Sequence, residues 1–247
     1  MYTFDSKIRY SEIGPDEKLT LESLIDYFQD CSTFQSEELG VGLGYMREHR
    51  CAWVVNYWQL EIGRLPRLTE AVRTGTSPYE FDGFMGLRNF WMDAAGERLV
   101  TASSVWSLVS TDNFLPTRVP ERMLEAYRLS ERLEMEYLPR KIRVPKDGGQ
   151  AQEPITVARY HLDTNRHVNN GQYVRMAMGL LPEGAEAARL RMEYRRQAVL
   201  GDVITPVCYR QEENAPQGMD AHRQAVLTVS LNGADGRPYA VAEMKLR

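Results

Sequence analysis

The 247-residue sequence predicts an α+β protein made of two units, each an antiparallel sheet wrapped around one helix. Three observations carry this expectation. Short runs bounded by Gly and Pro alternate apolar and polar residues, as half-buried strands do. One run in each half instead repeats its apolar residues at spacings of three and four, as a helix does. The order strand, helix, four strands occurs twice, at an offset of about 150 residues, which suggests duplication. The expected organisation is a first unit over residues 1–110, a linker over 111–154 and a second unit over 155–247.

In the first unit, residues 2–10 read as a strand with Tyr2, Phe4, Ile8 and Tyr10 on one parity. A helix is expected from Thr20 to Leu39, with Leu21, Leu24, Ile25, Phe28, Cys31 and Phe34 on its apolar face. Thr20 is placed to cap it, with Ser23 where a capping-box Glu would stand, and Gly40 is a natural stop. The glycine-rich Gly40–Gly44 reads as a turn, because it follows a helix and lacks the Lys-Ser/Thr of a phosphate loop. Strands are expected at 52–63, 69–77, 83–93 and 98–109, separated by Leu65-Pro66, Pro78 and Ala94-Ala95-Gly96. The first of these carries large apolar residues on both parities, so it should be covered on both faces. Five prolines, from Pro116 to Pro154, and a charged helical patch, Glu121–Tyr137, mark 111–154 as a linker crossing the surface of the first unit.

In the second unit, a strand is expected over 156–162 and a helix over 173–181, followed by strands at 188–197, 203–210, 223–231 and 239–246. Gly201-Asp202 and Asn232–Gly236 mark turns. Leu190, Met192 and Tyr194 should face the core, and Arg191, Glu193 and Arg195 the other side.

Composition narrows the function classes. The net charge of -4 gives no reason to expect nucleic acid. The mean hydropathy is -0.45, and no run approaches the roughly 20 apolar residues of a membrane span. The N-terminal residues lack the basic-then-apolar order of a signal peptide. Cys31, Cys51 and Cys208 are odd in number and widely spaced, which argues against a disulfide framework or a zinc site and for a reducing cytoplasm. Each reads as a buried, inert thiol. With no metal cluster and no nucleotide loop, no metal and no cofactor are expected.

The chemistry concentrates in Asp163-Thr-Asn165-Arg-His167-Val-Asn169-Asn170-Gly-Gln-Tyr173, between the expected strand and helix. A carboxylate can fix an imidazole's tautomer and raise its basicity, and an amide can hold a water or an oxyanion. Asn and Asp also collect before helices simply because they cap free N–H groups. One of Asn169 and Asn170 fits that role. Capping does not account for Asp163, Asn165 and His167 together. The equivalent first-unit loop, Ser11–Lys18, has no His and no Asn, so one active site is expected, in the second unit.

This motif resembles that of the acyl-acyl carrier protein thioesterases, the family of the plant plastid enzymes, and so does Glu193-Tyr194-Arg195-Arg196. Ala52-Trp53-Val54 and the Arg64-Leu65-Pro66 turn are similar to the family's Trp-containing strand and Arg-Tyr-Pro turn. The resemblance covers nearly the whole chain and implies a tandem, or double, hot-dog fold. It implies hydrolysis of fatty acyl thioesters of acyl carrier protein, in fatty acid biosynthesis. Asp163, Asn165 and His167 are then catalytic, with Gln197 at the last catalytic position, and Asn169, Asn170, Tyr173, Trp53 and Phe28 contact substrate. The acyl chain would lie in the first unit, with Leu24, Phe34, Met46 and Trp91 as further lining candidates. Plant members carry Glu then Cys where this chain has Gln197 and Ala198. Gln cannot accept a proton at neutral pH, though it can orient a water. The base is then Asp163 with His167, or another carboxylate such as Glu193, or the activity is low. An acidic carrier could meet Arg189, Arg191, Arg195 and Arg196, or Arg140, Lys141 and Arg143. Both a monomer and a homodimer fit the resemblance. The rival readings are an acyl-CoA thioesterase and a non-catalytic acyl-binding hot-dog protein.

Overall fold

The computed structural model describes residues 1–163, 165–213 and 224–247. The chain divides into two compact units, Met1–Tyr137 and Leu138–Arg247.

The first unit contains β1 (Tyr2–Lys7), α1 (Leu21–Glu38), α2 (Leu43–Glu48), β2 (Cys51–Ile62), β3 (Ala71–Asp82), β4 (Met85–Ala94), β5 (Glu97–Ser110) and α3 (Glu121–Ala126). Its five strands are antiparallel in the order β1-β3-β4-β5-β2. One face of this sheet holds α1. Thr20 caps that helix by accepting from the Ser23 N–H at 3.3 Å, and Gly40, with φ +68°, lets the chain turn away after it. Leu24, Ile25 and Phe28 of α1 are fully buried against the sheet. Phe28, Trp58 and Phe90 form a ring cluster with centroids 4.8–6.0 Å apart. Each such pair adds about 0.5–1.5 kcal/mol beyond its area burial.

The other face is covered too, as the apolar content of β2 on both parities requires. The segment after α3 lies across it. Leu133 N–H and the Tyr137 hydroxyl donate to Asn89 Oδ1, and Gln59 Nε2 donates to the Glu136 carbonyl. The expected helical patch 121–137 is therefore helical only over Glu121–Ala126 and then extended. Its charged residues face water while its backbone serves the sheet.

Three further expectations are corrected. Pro78 does not end a strand: it sits inside β3, buried, where the register shifts between Pro78 and Glu80. A bulge tolerates a residue with no N–H to donate. The first strand stops at Lys7, so Tyr10 falls in a 3-10 turn, Tyr10–Glu12, and is 82% exposed. Part of the glycine-rich loop is helix α2 rather than turn.

The second unit contains β6 (Gln150–Ala151), β7 (Ile155–Thr156), α4 (Asn170–Met178), β8 (Ala187–Tyr194), β9 (Val203–Glu213), β10 (Gln224–Asn232) and β11 (Pro238–Leu246). The order is β8-β11-β10-β9-β6, antiparallel, with β7 also paired to β9. Arg223, the expected start of one strand, lies outside the described residues. The strand expected over 156–162 is only the short β7 followed by a 3-10 turn, Arg159–His161. The helix begins at Asn170 and ends at Met178, earlier at both ends than its apolar pattern suggests.

On β8, Leu190 and Met192 are fully buried, and Tyr194 shares their face. The opposite face is not a solvated basic stripe. Arg191 donates to the Pro139 carbonyl and pairs with Glu243, both at 2.6 Å. Glu193 accepts from the Ile142 N–H at 2.9 Å, and Arg195 donates to the Ile142 carbonyl at 2.7 Å. Residues 139–142 therefore roof this face as 133–137 roof that of the first unit.

Candidate active site

The motif loop is built by its own carboxylate. Asp163 Oδ1 accepts from the backbone N–H of Asn165 at 2.8 Å and of His167 at 3.2 Å. Asp163 Oδ2 stands 3.5 Å from Asn165 Nδ2. The Asp163 N–H donates to the His167 carbonyl at 2.8 Å, which closes the loop on itself. Arg166 takes φ +64° at the turn between them. Loops of this kind rely on Asx side chains that bond to backbone two residues on. Asp163 thus fixes the positions of Asn165, which is exposed, and His167, which is half-buried.

Asn169 is the cap of α4, its Oδ1 accepting from the Gly171 N–H at 2.8 Å. Asn170 is the first helical residue, and its carbonyl accepts from the Tyr194 hydroxyl at 3.1 Å. Tyr173 is 2% exposed, and its hydroxyl accepts from the Ala198 N–H at 2.9 Å. Burial pushes its pKa up to about 12, so it stays neutral. Of the three residues expected to contact substrate here, Asn169 and Tyr173 are occupied in holding the site together.

Gln197 lies beyond the end of β8, so its strand parity has no meaning. It is exposed, at the start of a short extended segment that runs antiparallel to the motif. His167 bridges to Val199, and the Val168 N–H donates to the Ala198 carbonyl at 3.0 Å. This pairing fastens the segment that follows Gln197 to the motif loop. Ala198, where plant members have Cys, is fully buried. Glu193, the alternative carboxylate, is tied to Ile142 and Arg195 on the far face of β8.

Two supporting residues escaped the sequence reading. Asp202 Oδ2 accepts from the Val199 N–H and from the Tyr239 hydroxyl, both at 2.9 Å, and so anchors the segment that carries Gln197. In the sequence it is only a turn residue after Gly201. His161 is buried, and its Nδ1 accepts from the Ala158 N–H at 3.0 Å, so the ring is neutral with its proton on Nε2. Burial, with Arg175 nearby, holds its pKa below the usual histidine value.

Of the first-unit candidates, Leu24 and Phe28 are buried in that unit's interior, and Trp53 and Met46 are partly buried. Phe28 belongs to the central ring cluster. Trp53, half-buried, packs beside Val41, Leu108, Met123 and Tyr127 together with Met46. Phe34 is exposed against Phe4, and Trp91 lies on the sheet face away from α1, pressed on Gly75, so neither lines the interior beneath the helix. All three cysteines are free, and burial raises each thiol, Cys31 to about 12.

Fold and site together define a tandem hot-dog protein with a single Asp-x-Asn-x-His loop. The chain belongs to the acyl-ACP thioesterase family: the family's N-terminal domain model matches residues 1–127 and its C-terminal domain model residues 145–234. A chloroplastic acyl-(acyl-carrier-protein) hydrolase of Cuphea viscosissima is 28% identical over 218 residues, 81% of this chain and 52% of that one. A chloroplastic palmitoyl-acyl carrier protein thioesterase of Gossypium hirsutum is 27% identical over 237 residues, 87% of this chain and 57% of that one. The chain spans about half the length of these curated relatives. Among solved structures, an acyl-ACP thioesterase from Bacteroides thetaiotaomicron superposes with a TM-score of 0.85 at 19% identity, covering 99% of this chain and 97% of that one. The 12:0-ACP thioesterase from Umbellularia californica gives a TM-score of 0.83 at 19% identity, covering 100% and 93%. No helix among the described residues is long and apolar enough to cross a membrane.

Proposed function

We propose that the protein hydrolyses fatty acyl thioesters of acyl carrier protein, releasing the free fatty acid and the carrier thiol. The observation that carries this reading is the Asp163-fastened loop that fixes Asn165 and His167, paired with the segment just after Gln197. His167 takes a proton from water. Asn165 holds that water or the thioester oxygen, and Gln197 orients the water through its amide. Asp163 positions both residues through their backbone N–H groups. A placed general base contributes some 10²–10⁴-fold in rate, and a donor aimed at the oxyanion about 3–4 kcal/mol. The thiolate is a good leaving group and needs little further help.

The acyl chain lies in the first unit. The carrier docks on Arg140, Lys141 and Arg143, which are exposed, because Arg191, Arg195 and Arg196 are engaged within the protein. Raising salt should therefore weaken association. A cytoplasmic location fits the three free thiols, and a homodimer fits the fold. The experiment is thiol release from matched acyl-ACP and acyl-CoA substrates. Preference for the carrier thioester supports the reading. Preference for CoA transfers it to an acyl-CoA thioesterase, and binding without release marks an acyl-binding protein.

A further inference from the structure

The second unit presents one charge where its duplicate presents the other. The two stretches that lead into the helices correspond at a constant offset. Ile13 bridges Leu19 as Leu162 bridges Val168, and α1 and α4 start after the caps Thr20 and Asn169. Their backbones agree, but their charges do not. Residues 9–30 carry six acidic side chains and two basic ones, whereas 158–179 carry one acidic and three basic. The reversal falls on matched exposed positions. Glu17 and Arg166 occupy the same left-handed turn, at φ +62° and +64°, and Asp26 and Arg175 are the sixth residues of their helices. Arg159 opens the 3-10 turn before the loop, where the first unit has Tyr10. All three arginines are exposed, and none forms an ion pair among the described residues. Arg175 lies near His161, in the turn that Arg159 opens, and Arg166 immediately precedes His167. Packing selects neither sign, since one fold accommodates both.

We propose that Arg159, Arg166 and Arg175 form the surface that seats an acidic carrier protein over the catalytic loop, and that the acidic copy in the first unit repels the same partner, so that docking is one-sided. This inference rests on the carrier-thioester reading above, and it adds a second contact to the cations at 140–143. Complementary charges steer a partner and fix its orientation more than they add raw affinity. Like charges on a look-alike surface reject it there. Arg166 adjoins His167, so a carrier held by Arg166 brings its thioester arm to the catalytic loop. Without Glu17 and Asp26 the same backbone in the first unit would offer an unproductive seat, because its loop has Lys18 where the imidazole stands.

The test is binding of fluorescently labelled holo acyl carrier protein, read by anisotropy, together with thiol release from acyl-ACP and from carrier-free acyl-pantetheine. Arg166→Glu with Arg175→Asp copies the first unit. It should raise the carrier Kd and lower the ratio of acyl-ACP to acyl-pantetheine kcat/KM, each about tenfold or more. Arg166→Lys with Arg175→Lys keeps the charge and should retain both values. If the reversed protein does not fold, Arg166→Gln with Arg175→Gln removes the charges without adding acids and should move both values in the same direction. The converse exchange, Glu17→Arg with Asp26→Arg, should let each chain bind a second carrier molecule, at a site that leaves the thioester unhydrolysed. An unchanged Kd in the folded reversed or neutral variants overturns the proposal. So does a single carrier per chain in the converse exchange, or wild-type binding to anionic phospholipid vesicles in place of the carrier. Carrier binding that responds to the reversal, without thiol release from any acyl thioester, refutes the thioesterase reading and leaves the docking surface standing. Thiol release from acyl-ACP that ignores the reversal does the opposite.

Discussion

Residues 9–21 and 158–170 are the same loop built twice. In the first, the Gly14 N–H donates to the Lys18 carbonyl and the Thr20 N–H to that of Glu12; in the second, Asp163 donates to His167 and Asn169 to His161. Ile13 bridges Leu19 as Leu162 bridges Val168. Glu17 and Arg166 turn the chain at φ +62° and +64°. The neighbouring segment is repeated as well: the Arg67 N–H donates to Glu70 Oε2, and the Val199 N–H to Asp202 Oδ2, both at 2.9 Å. Even the opening turn matches, with Glu12 accepting from the Arg9 N–H where His161 accepts from that of Ala158. The comparison separates structure from chemistry. His161 has a counterpart doing its work, so it is structural. His167 and Asn165 do not: the same backbone forms in the first unit with Lys18 and Asp16 in their places. The same backbone forms without an imidazole there, and its presence in one copy only supports the catalytic role proposed for it.

The largest effect should come from making the second loop chemically like the first. His167→Lys and His167→Ala should each lower kcat/KM by about 10²–10⁴-fold, with circular dichroism unchanged. Loss of the fold in His167→Lys would show that the imidazole is structural and break the comparison.

Next is Asp163, whose place in the first loop is taken by Gly14. Asp163→Asn keeps one acceptor for the Asn165 and His167 N–H groups, so the protein should stay folded while most turnover is lost. Asp163→Gly, which copies Gly14, should lose at least as much activity and also stability, about 1–3 kcal/mol for the unsatisfied backbone donors. Wild-type rates in Asp163→Asn would remove Asp163 from the mechanism.

Tyr173→Phe leaves the buried Ala198 N–H without its acceptor and should cost about 1–3 kcal/mol in chemical denaturation, with a smaller fall in turnover as Gln197 loses its anchor. An unchanged midpoint would mean that the hydroxyl does not hold the segment.

The smallest effect distinguishes the arginines before each turn. Arg64 holds the Glu70 carboxyl below the usual carboxylate range, and Arg196 does the same for Asp235. A folded pKa below the unfolded one stabilises above the unfolded value, about 4. That contribution is lost as pH falls through the folded value. Arg64→Gln and Arg196→Gln should therefore weaken stability near neutrality and converge with wild type in acid. The effect should be small, because both pairs are open to solvent.

Much of this was legible in the sequence because local signals and tertiary outcome agree. The α1 stripe from Leu21 to Cys31, its Thr20 cap and the Gly40 stop are local features, and the structure keeps them, whereas Phe34, expected on the same stripe, is exposed. The motif was legible because its residue types exceed what capping needs. What was not legible depends on partners distant in sequence. The extent of β8 was misread because alternation continues through Arg195 and Gln197, whereas the ladder ends where Tyr194 meets Ala240. Pro78 looked like a breaker because nothing local reveals a bulge. Arg191, Glu193 and Arg195 looked like a wet face because the segment that roofs them lies about 50 residues earlier in the chain. Asp202 passed for an ordinary turn residue, since its two acceptances involve Val199 and Tyr239.

The most direct test of the central claim is an exchange between the two loops, read as thiol release from acyl-ACP. Lys18→His places the imidazole in the first loop, and His167→Lys removes it from the second. The account predicts that Lys18→His alone retains the wild-type rate, that His167→Lys loses it, and that the double exchange does not recover it. Turnover that survives His167→Lys, or that returns in the double exchange, would contradict it.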